Sequence, residues 1–202
     1  MTAEATRARL LAATIAAIDE GGEAAVSVEE IARVAGVTAP TIYNHFRNRD
    51  GLIAEAQAER FDRRLASDFG LLAGWVETVT TQEQFLEVTE AIFAYLLDAE
   101  RRQWRMDRIT AVGAAVGRPQ LAEIVAEKFE GIVEQFATAM QPLQERGFIR
   151  PDLDLATFAA WFSGAVTGRL FIELGPTRVD GAAWDRMFRD AALSLVLPPE
   201  PG

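Results

Sequence analysis

The chain has 202 residues, half of them hydrophobic, with no cysteine and a single histidine. It can bury a proper core, but it cannot form disulfides, thiolate metal sites or multi-histidine zinc sites. Its 20 basic and 30 acidic residues give a formal net charge of −10, which argues against a general nucleic-acid coat protein, since such proteins rely on Lys and Arg to neutralise phosphate.

The first helix is expected over about Glu4 to Glu20, where Leu11, Ile15 and Ile18, with Leu10 beside them, recur at helical spacing before Gly21 and Gly22 end the run. Ser27 followed three places later by Glu30 reads as a capping box, so a second helix starts at about Val28. Val28, Ile31, Ala32 and Ala35 share its apolar face, and Gly36 supplies the backbone freedom for a sharp stop. Val37 packs into the angle. Thr38 is a good N-cap for a third helix from about Ala39, and Pro40 falls in its first turn, where a missing N–H is tolerated. On this helix Ile42 and Phe46 point one way, Pro40, Thr41 and Asn44 the other, and Tyr43 flanks the outer face. Two helices joined by a short Gly-containing turn, the second with small, polar and aromatic groups outward, form a helix-turn-helix suited to a DNA major groove. Between Ile31 and Arg49 stand Arg33, Arg47, Arg49 and His45 with no acid, although residues 1–66 as a whole carry eight basic and ten acidic groups. The acid is concentrated in the remainder, so the pattern is a small DNA-binding unit on an acidic body.

The run IARVAGVTAPTIYNHFRNRDGLI resembles the DNA-binding domain of the TetR family of transcriptional repressors. The landmarks are Ile31 and Ala32, Ala35 to Thr38, Tyr43, His45 and Phe46, then Arg49, Asp50 and Leu52. Arg49 stands where many members carry Lys. Close matching covers about the first quarter of the chain; the rest agrees in length and helical character.

Asn48 is the expected N-cap of a long helix opened by Leu52, Ile53 and Ala56 and continuing to about Phe69. It would join the two domains and act as the lever for a regulatory signal. Thr81 and Gln84 form a second capping box ahead of Phe85, Leu86, Ile92, Phe93 and Leu96. A less regular piece runs from Arg101 to Val116. Residues 120–140 are strongly periodic, from Leu121 through Phe129 and Phe136 to Met140, with Pro142 and Gly147 marking the end. Further helices are expected over about 155–174 and 182–197, the last stopped by Pro198 and Pro199. The whole is all-α with about nine helices: residues 1–48 a helix-turn-helix domain, residues 49–202 a helical ligand-binding and dimerisation domain, and the helix of about 49–69 between them.

The resemblance implies DNA contacts at Ser27, Thr38, Ala39, Pro40, Thr41, Tyr43, Asn44, His45 and Arg49. Ala39 offers only apolar contact, for instance to a thymine methyl, Asn44 suits an adenine edge, and Tyr43, His45 and Arg49 mostly hold phosphates. It also implies a small-molecule pocket within residues 60–174, with Phe61, Phe93, Trp104, Phe129 and Trp161 as lining and Arg105 or Asp107 as polar contacts; an apolar or aromatic effector fits that set best. In the last two helices Phe158, Phe162 and Ala165, the small pair Gly164 and Gly168, and the stripe Trp184, Met187, Phe188, Ala191 and Leu195 serve either core packing or a two-fold dimer interface.

An enzyme is disfavoured: there is no phosphate-binding Gly loop, no G-x-S-x-G and no H-E-x-x-H, and adjacent carboxylates such as Asp19 with Glu20 point in different directions. No cofactor and no metal are expected. No apolar run approaches the roughly 20 residues of a membrane helix and no signal peptide is recognised, so no membrane partner and a cytoplasmic location are expected. The partners expected are a double-stranded DNA operator, a small-molecule effector and a second copy of the chain. The leading expectation is a repressor released by its effector, with a ligand-responsive activator or a protein-interaction adaptor on the same fold as alternatives.

Overall fold

The computed structural model describes residues 2–62, 72, 74–176 and 178–199. Contacts between Cα atoms divide the chain into two units, Met1–Arg63 with Asp107–Lys128, and Arg64–Met106 with Phe129–Gly202. Among the described residues there is helix and no strand.

The first unit holds α1 (Ala3–Gly21), α2 (Val28–Ala35), α3 (Ala39–Phe46) and α4 (Arg49–Asp62). Thr2 caps α1 by accepting from the Ala5 N–H. Its inward face is Leu10, Leu11, Thr14 and Ile18, with Ile15 only half-buried. Thr14 occupies the stripe expected of Ile15, and its hydroxyl donates to the Leu10 carbonyl at 2.8 Å, so burying it leaves no polar atom unsatisfied. These residues close one core with Val28, Ile31, Ile42, Phe46, Leu52 and Ile53. The long helix expected to reach Phe69 is seen over Arg49–Asp62; residues 63–69 lie outside the described residues.

The second unit contains α5 (Gln82–Leu97), the first turn of α6 (Arg102–Ala115), the later part of α7 (Pro119–Glu145), α8 (Leu155–Gly168), α9 (Leu170–Glu173) and α10 (Gly181–Val196); residues 74–78 are also helical. The Thr81 and Gln84 side chains form the full reciprocal capping box of α5. Helix α7 runs three residues beyond Pro142, the expected stop. Proline there removes a single intrahelical bond in the last turn. The actual terminator is Gly147 at φ +83°, where Phe148 N–H bonds to Leu143 O and Gly147 N–H to Gln144 O in a Schellman motif. The helix expected over 155–174 breaks at Arg169 into α8 and α9.

The irregular stretch from Arg101 to Val116 is helical, and its inward positions explain why no apolar period is visible there. They are Arg101, Arg105, Asp107, Arg108 and Ala111, four of them charged. In the second unit Arg105 is 0% exposed: Nε and Nη2 donate to Glu173 at 3.0 and 2.5 Å, and Nη1 and Nη2 donate to the carbonyls of Leu96 and Asp98 at the end of α5. Arg169 bonds to Glu173 as well and forks onto Asp185. In the first unit Arg60 links Asp107, Asp19 and Gln57.

The span Leu155–Glu173, 19 residues with a mean hydropathy of 1.3, is by length and composition apolar enough to cross a membrane, which corrects the expectation that no run approaches that length. Its Phe158, Phe162, Val166 and Leu170 are buried in the protein's own interior, and Arg169 and Glu173 are ion-paired, so the span reads as a packed helix with one apolar face left over.

Candidate DNA-binding site and body cavity

Helix α2 ends at Gly36, whose φ of +65° places it in the left-handed region; Val37 N–H bonds to Ala32 O and Gly36 N–H to Arg33 O. The capping box expected at Ser27 is half formed. Ser27 Oγ accepts from the Glu30 N–H at 3.4 Å, but the Glu30 carboxylate turns to Arg33, and it is Glu29 that accepts the Ser27 hydroxyl proton. A nearby guanidinium outcompetes a backbone N–H for the carboxylate, because both partners then carry charge. The N-cap residue of α3, Thr38, bonds through its hydroxyl to that of Thr41 at 3.0 Å.

Burial divides α3 cleanly. Ile42 and Phe46 are buried in the core of the first unit; Pro40, Tyr43 (47% exposed) and Asn44 face outward, with Ala39, Thr41 and His45 half-buried at the edges. The outward strip therefore offers a ring, an amide and a small apolar step, groups able to meet base edges and phosphates. Val34 on α2 is exposed beside the turn, off the apolar stripe by which periodicity marks a helix face.

The junction from α3 to α4 is tightly built. Arg47 has φ +63° and ψ −48°, and the Asn48 N–H bonds back to Phe46 O at 2.7 Å, so Arg47 is the centre of a γ-turn of the strained kind. Asn48 Oδ1 then accepts from the Gly51 N–H at 2.7 Å and caps α4, as its sequence position predicts. Arg49 faces inward to the link between α1 and α2: Nε donates to Val26 O at 2.8 Å and Nη2 to Glu23 O at 2.5 Å. The Glu23 carboxylate in turn accepts from Arg118 through both oxygens and from Gln57. The bonds from Arg118 hold its carboxyl below the ordinary Glu value.

The second unit encloses an apolar cavity of about 60 Å³ between α5, α7, α8 and α10, with Val88, Ile92, Phe93, Phe136, Phe158 and Phe162 on its walls. Thr89 is on the wall, but its hydroxyl donates to Phe85 O. Of the expected ligand residues, only Phe93 lines this cavity. Phe61 is buried in the first unit under the Arg108 guanidinium, Arg105 is fully engaged as described above, Trp104 packs against the core of the second unit, Phe129 is half-buried and Trp161 is 40% exposed. Pocket-lining depends on which stripes meet in space, and single-helix periodicity does not encode that.

The expected dimer face divides in the same way. Phe158, Phe162 and Phe188 are interior residues, in ring contact with one another and with Phe93 or Phe136, which leaves them little surface for a partner. Trp184, Ala165, Gly168 and Ala191 are half-buried; Met187 (73% exposed) and Leu195 stand out. Phe171 (73% exposed) and Leu174, which lie off the expected stripes, join them as exposed apolar groups.

Residues 10–56 match the family model described as bacterial regulatory proteins, tetR family. That segment spans the end-to-end helix-turn-helix from α1 into α4. Over these residues the chain carries the DNA-binding domain of the tetR family. It is 24% identical over 172 residues to the HTH-type transcriptional regulator UidR of Escherichia coli K12, covering 85% of this chain and 79% of UidR. Among solved structures, a TetR-family transcriptional regulator from Mesorhizobium loti aligns with a TM-score of 0.71 at 23% identity, covering 98% of this chain and 100% of that one. The transcriptional regulator FadR from Bacillus subtilis, in complex with stearoyl-CoA, aligns with a TM-score of 0.61 at 17% identity over 93% and 98% of the two chains. These likenesses support a DNA-binding transcriptional regulator, and the structure has the all-α fold of the solved proteins it resembles.

Proposed function

We propose that the protein is a homodimeric TetR-family repressor that occupies a palindromic operator and leaves it when a small effector fills its body. The observation that carries the DNA side is the outward strip of α3, Pro40, Tyr43 and Asn44 with Thr38, Ala39, Thr41 and His45 at its edges, on a helix anchored from behind by Ile42 and Phe46. In this reading Asn44 reads a base edge, Ala39 touches a thymine methyl, and Ser27, Tyr43 and His45 hold backbone phosphates. Residues 1–48 supply this surface and residues 49–202 the regulatory body. The chain passes between the two structural units within α6 and α7, which gives a ligand signal a covalent route.

The apolar face of α8–α10 supports the dimer. Trp161, Phe171, Leu174, Met187 and Leu195 are large and exposed, more apolar surface than an isolated protomer needs. A two-fold pairing through it presents two recognition helices to two half-sites, whose centres lie about one helical turn or a multiple apart. Met187→Asp puts a charge on the most exposed residue of α10 in that set. Sedimentation of the parent should give twice the 22.1 kDa chain mass, and the variant a monomer with lost operator affinity; a variant that stays dimeric would place the interface elsewhere.

The cavity supports an apolar or aromatic effector, since no charged group among the described residues lines it. Its volume is well below the roughly 300–1,000 Å³ of sites that hold drug-sized ligands, so filling it moves the helices around it. Such movement is what a repressor needs to change its affinity for DNA. FadR of Bacillus subtilis, similar in fold, binds stearoyl-CoA, a molecule with a long apolar chain.

A further inference from the structure

We propose that Arg47, rather than Arg49, is the cation of the helix-turn-helix that meets the DNA phosphate backbone, and that Arg49 is a positioning residue that fixes the start of α4 to the link between α1 and α2. This assignment rests on the DNA-binding reading of α3. Three arginines interrupt the acid-free stretch from Ile31 to Arg49, and the structure gives them three different fates. Arg33 is forked onto Glu30, with Nε and Nη2 at 2.9 and 2.5 Å from its two oxygens. Arg49 donates to the carbonyls of Val26 and Glu23 across 23 and 26 residues of chain. To reach a phosphate with those donors it must abandon both carbonyls, and Val26 is a buried member of the core of this unit.

Arg47 has no such tie. Its side chain is exposed, and no group among the described residues accepts from its guanidinium. It directly follows the last residue of the recognition helix, so a phosphate contact from it anchors that helix at its C-terminal end. Its backbone carries the second observation: at φ +63°, it is the only non-glycine residue with positive φ among those described. Glycine adopts that conformation without penalty, and an arginine there keeps a strained γ-turn at a cost in stability. Strain at an exposed residue with no internal partner fits a side chain retained for what it does outside the protein. The free guanidinium presents five donors in a fork that matches phosphate geometry.

The test uses the full-length protein, a palindromic duplex selected by it, and four variants, each measured for thermal midpoint and for binding across a salt series. Each phosphate neutralised on B-DNA contributes a slope of about −0.9 in log affinity against log salt. Arg47→Ala is expected to flatten the slope by about 0.9 per protomer with the thermal midpoint not lowered, and Arg47→Lys to keep it. Arg47→Gly is expected to flatten the slope equally while raising the midpoint, because it relieves the turn; a purely structural role for Arg47 predicts no loss of slope. Arg49→Ala is expected to lower the midpoint and leave the slope in place. The proposal is overturned if Arg49→Ala removes the slope increment, or if Arg47→Ala leaves it intact. Failure of the parent protein to bind any duplex is a distinct outcome, which removes the DNA reading on which the assignment stands.

Discussion

Glu173→Ala is expected to destabilise the protein by about 3–5 kcal/mol, seen as a large drop in the thermal midpoint. The carboxylate accepts from the fully buried Arg105 and from Arg169. Truncating it leaves two guanidinium groups facing each other with no shared counter-charge, and the cost is that of uncompensated buried charge, not of one lost surface pair. Arg105 remains tied to Leu96 O and Asp98 O, which fixes it in place and prevents it from swinging out to water. Glu173→Gln keeps an acceptor of the same shape and should fall between the parent and the alanine variant. A loss for Glu173→Ala of less than about 1 kcal/mol, the range of exposed ion pairs, would mean that water reaches the cluster freely.

The second large effect is one of sign. Alanine is intrinsically a better helix former than glycine by about 1 kcal/mol, so both Gly51→Ala and Gly131→Ala, each inside a helix, would stabilise if propensity alone decided. At Gly131 a Cβ meets nothing within 4 Å, and a gain of up to about 1 kcal/mol is expected. At Gly51 it would sit 2.2 Å from Phe46 O, a backbone atom at the γ-turn that cannot rotate away. Overpacking of this kind costs about 1–3 kcal/mol, and relief comes only by displacing the end of the recognition helix. Gly51→Ala is therefore expected to lower both the thermal midpoint and DNA affinity. Opposite signs for the two substitutions in parallel thermal unfolding are the check; a stabilised Gly51→Ala would show that the junction yields easily.

The parts of this protein that could be read from sequence are those specified locally. Gly36, Thr38, Pro40 and Asn48 each announce a backbone conformation within a few residues, and the pairs Val28 with Ile31 and Ile42 with Phe46 define inward faces without reference to anything distant. Periodicity tells which residues share a face, not what that face meets. Phe158, Phe162 and Phe188 lie on real stripes, but those stripes turn inward, and it is Trp161, Phe171 and Met187 that remain for a partner. Helix α6 is obscure in the sequence because its buried positions are mostly charged, which hydropathy counts as surface, while the partners of Asp107 and Arg105 are 47 and 68 residues away in sequence. Arg49 shows the same limit at the DNA-binding end. Its charge and position suit a phosphate, but its donors are taken by carbonyls whose positions only the fold reveals.

The central claim is that this chain is a sequence-specific, dimeric DNA binder, and selection of sites from a random duplex pool by the purified protein, followed by competition at two salt concentrations, tests it most directly. The account predicts enrichment of one palindrome whose half-site centres lie about one helical turn or a multiple apart, with affinity falling steeply as salt rises. A folded dimer that enriches no sequence, with or without apolar small molecules present, would contradict it.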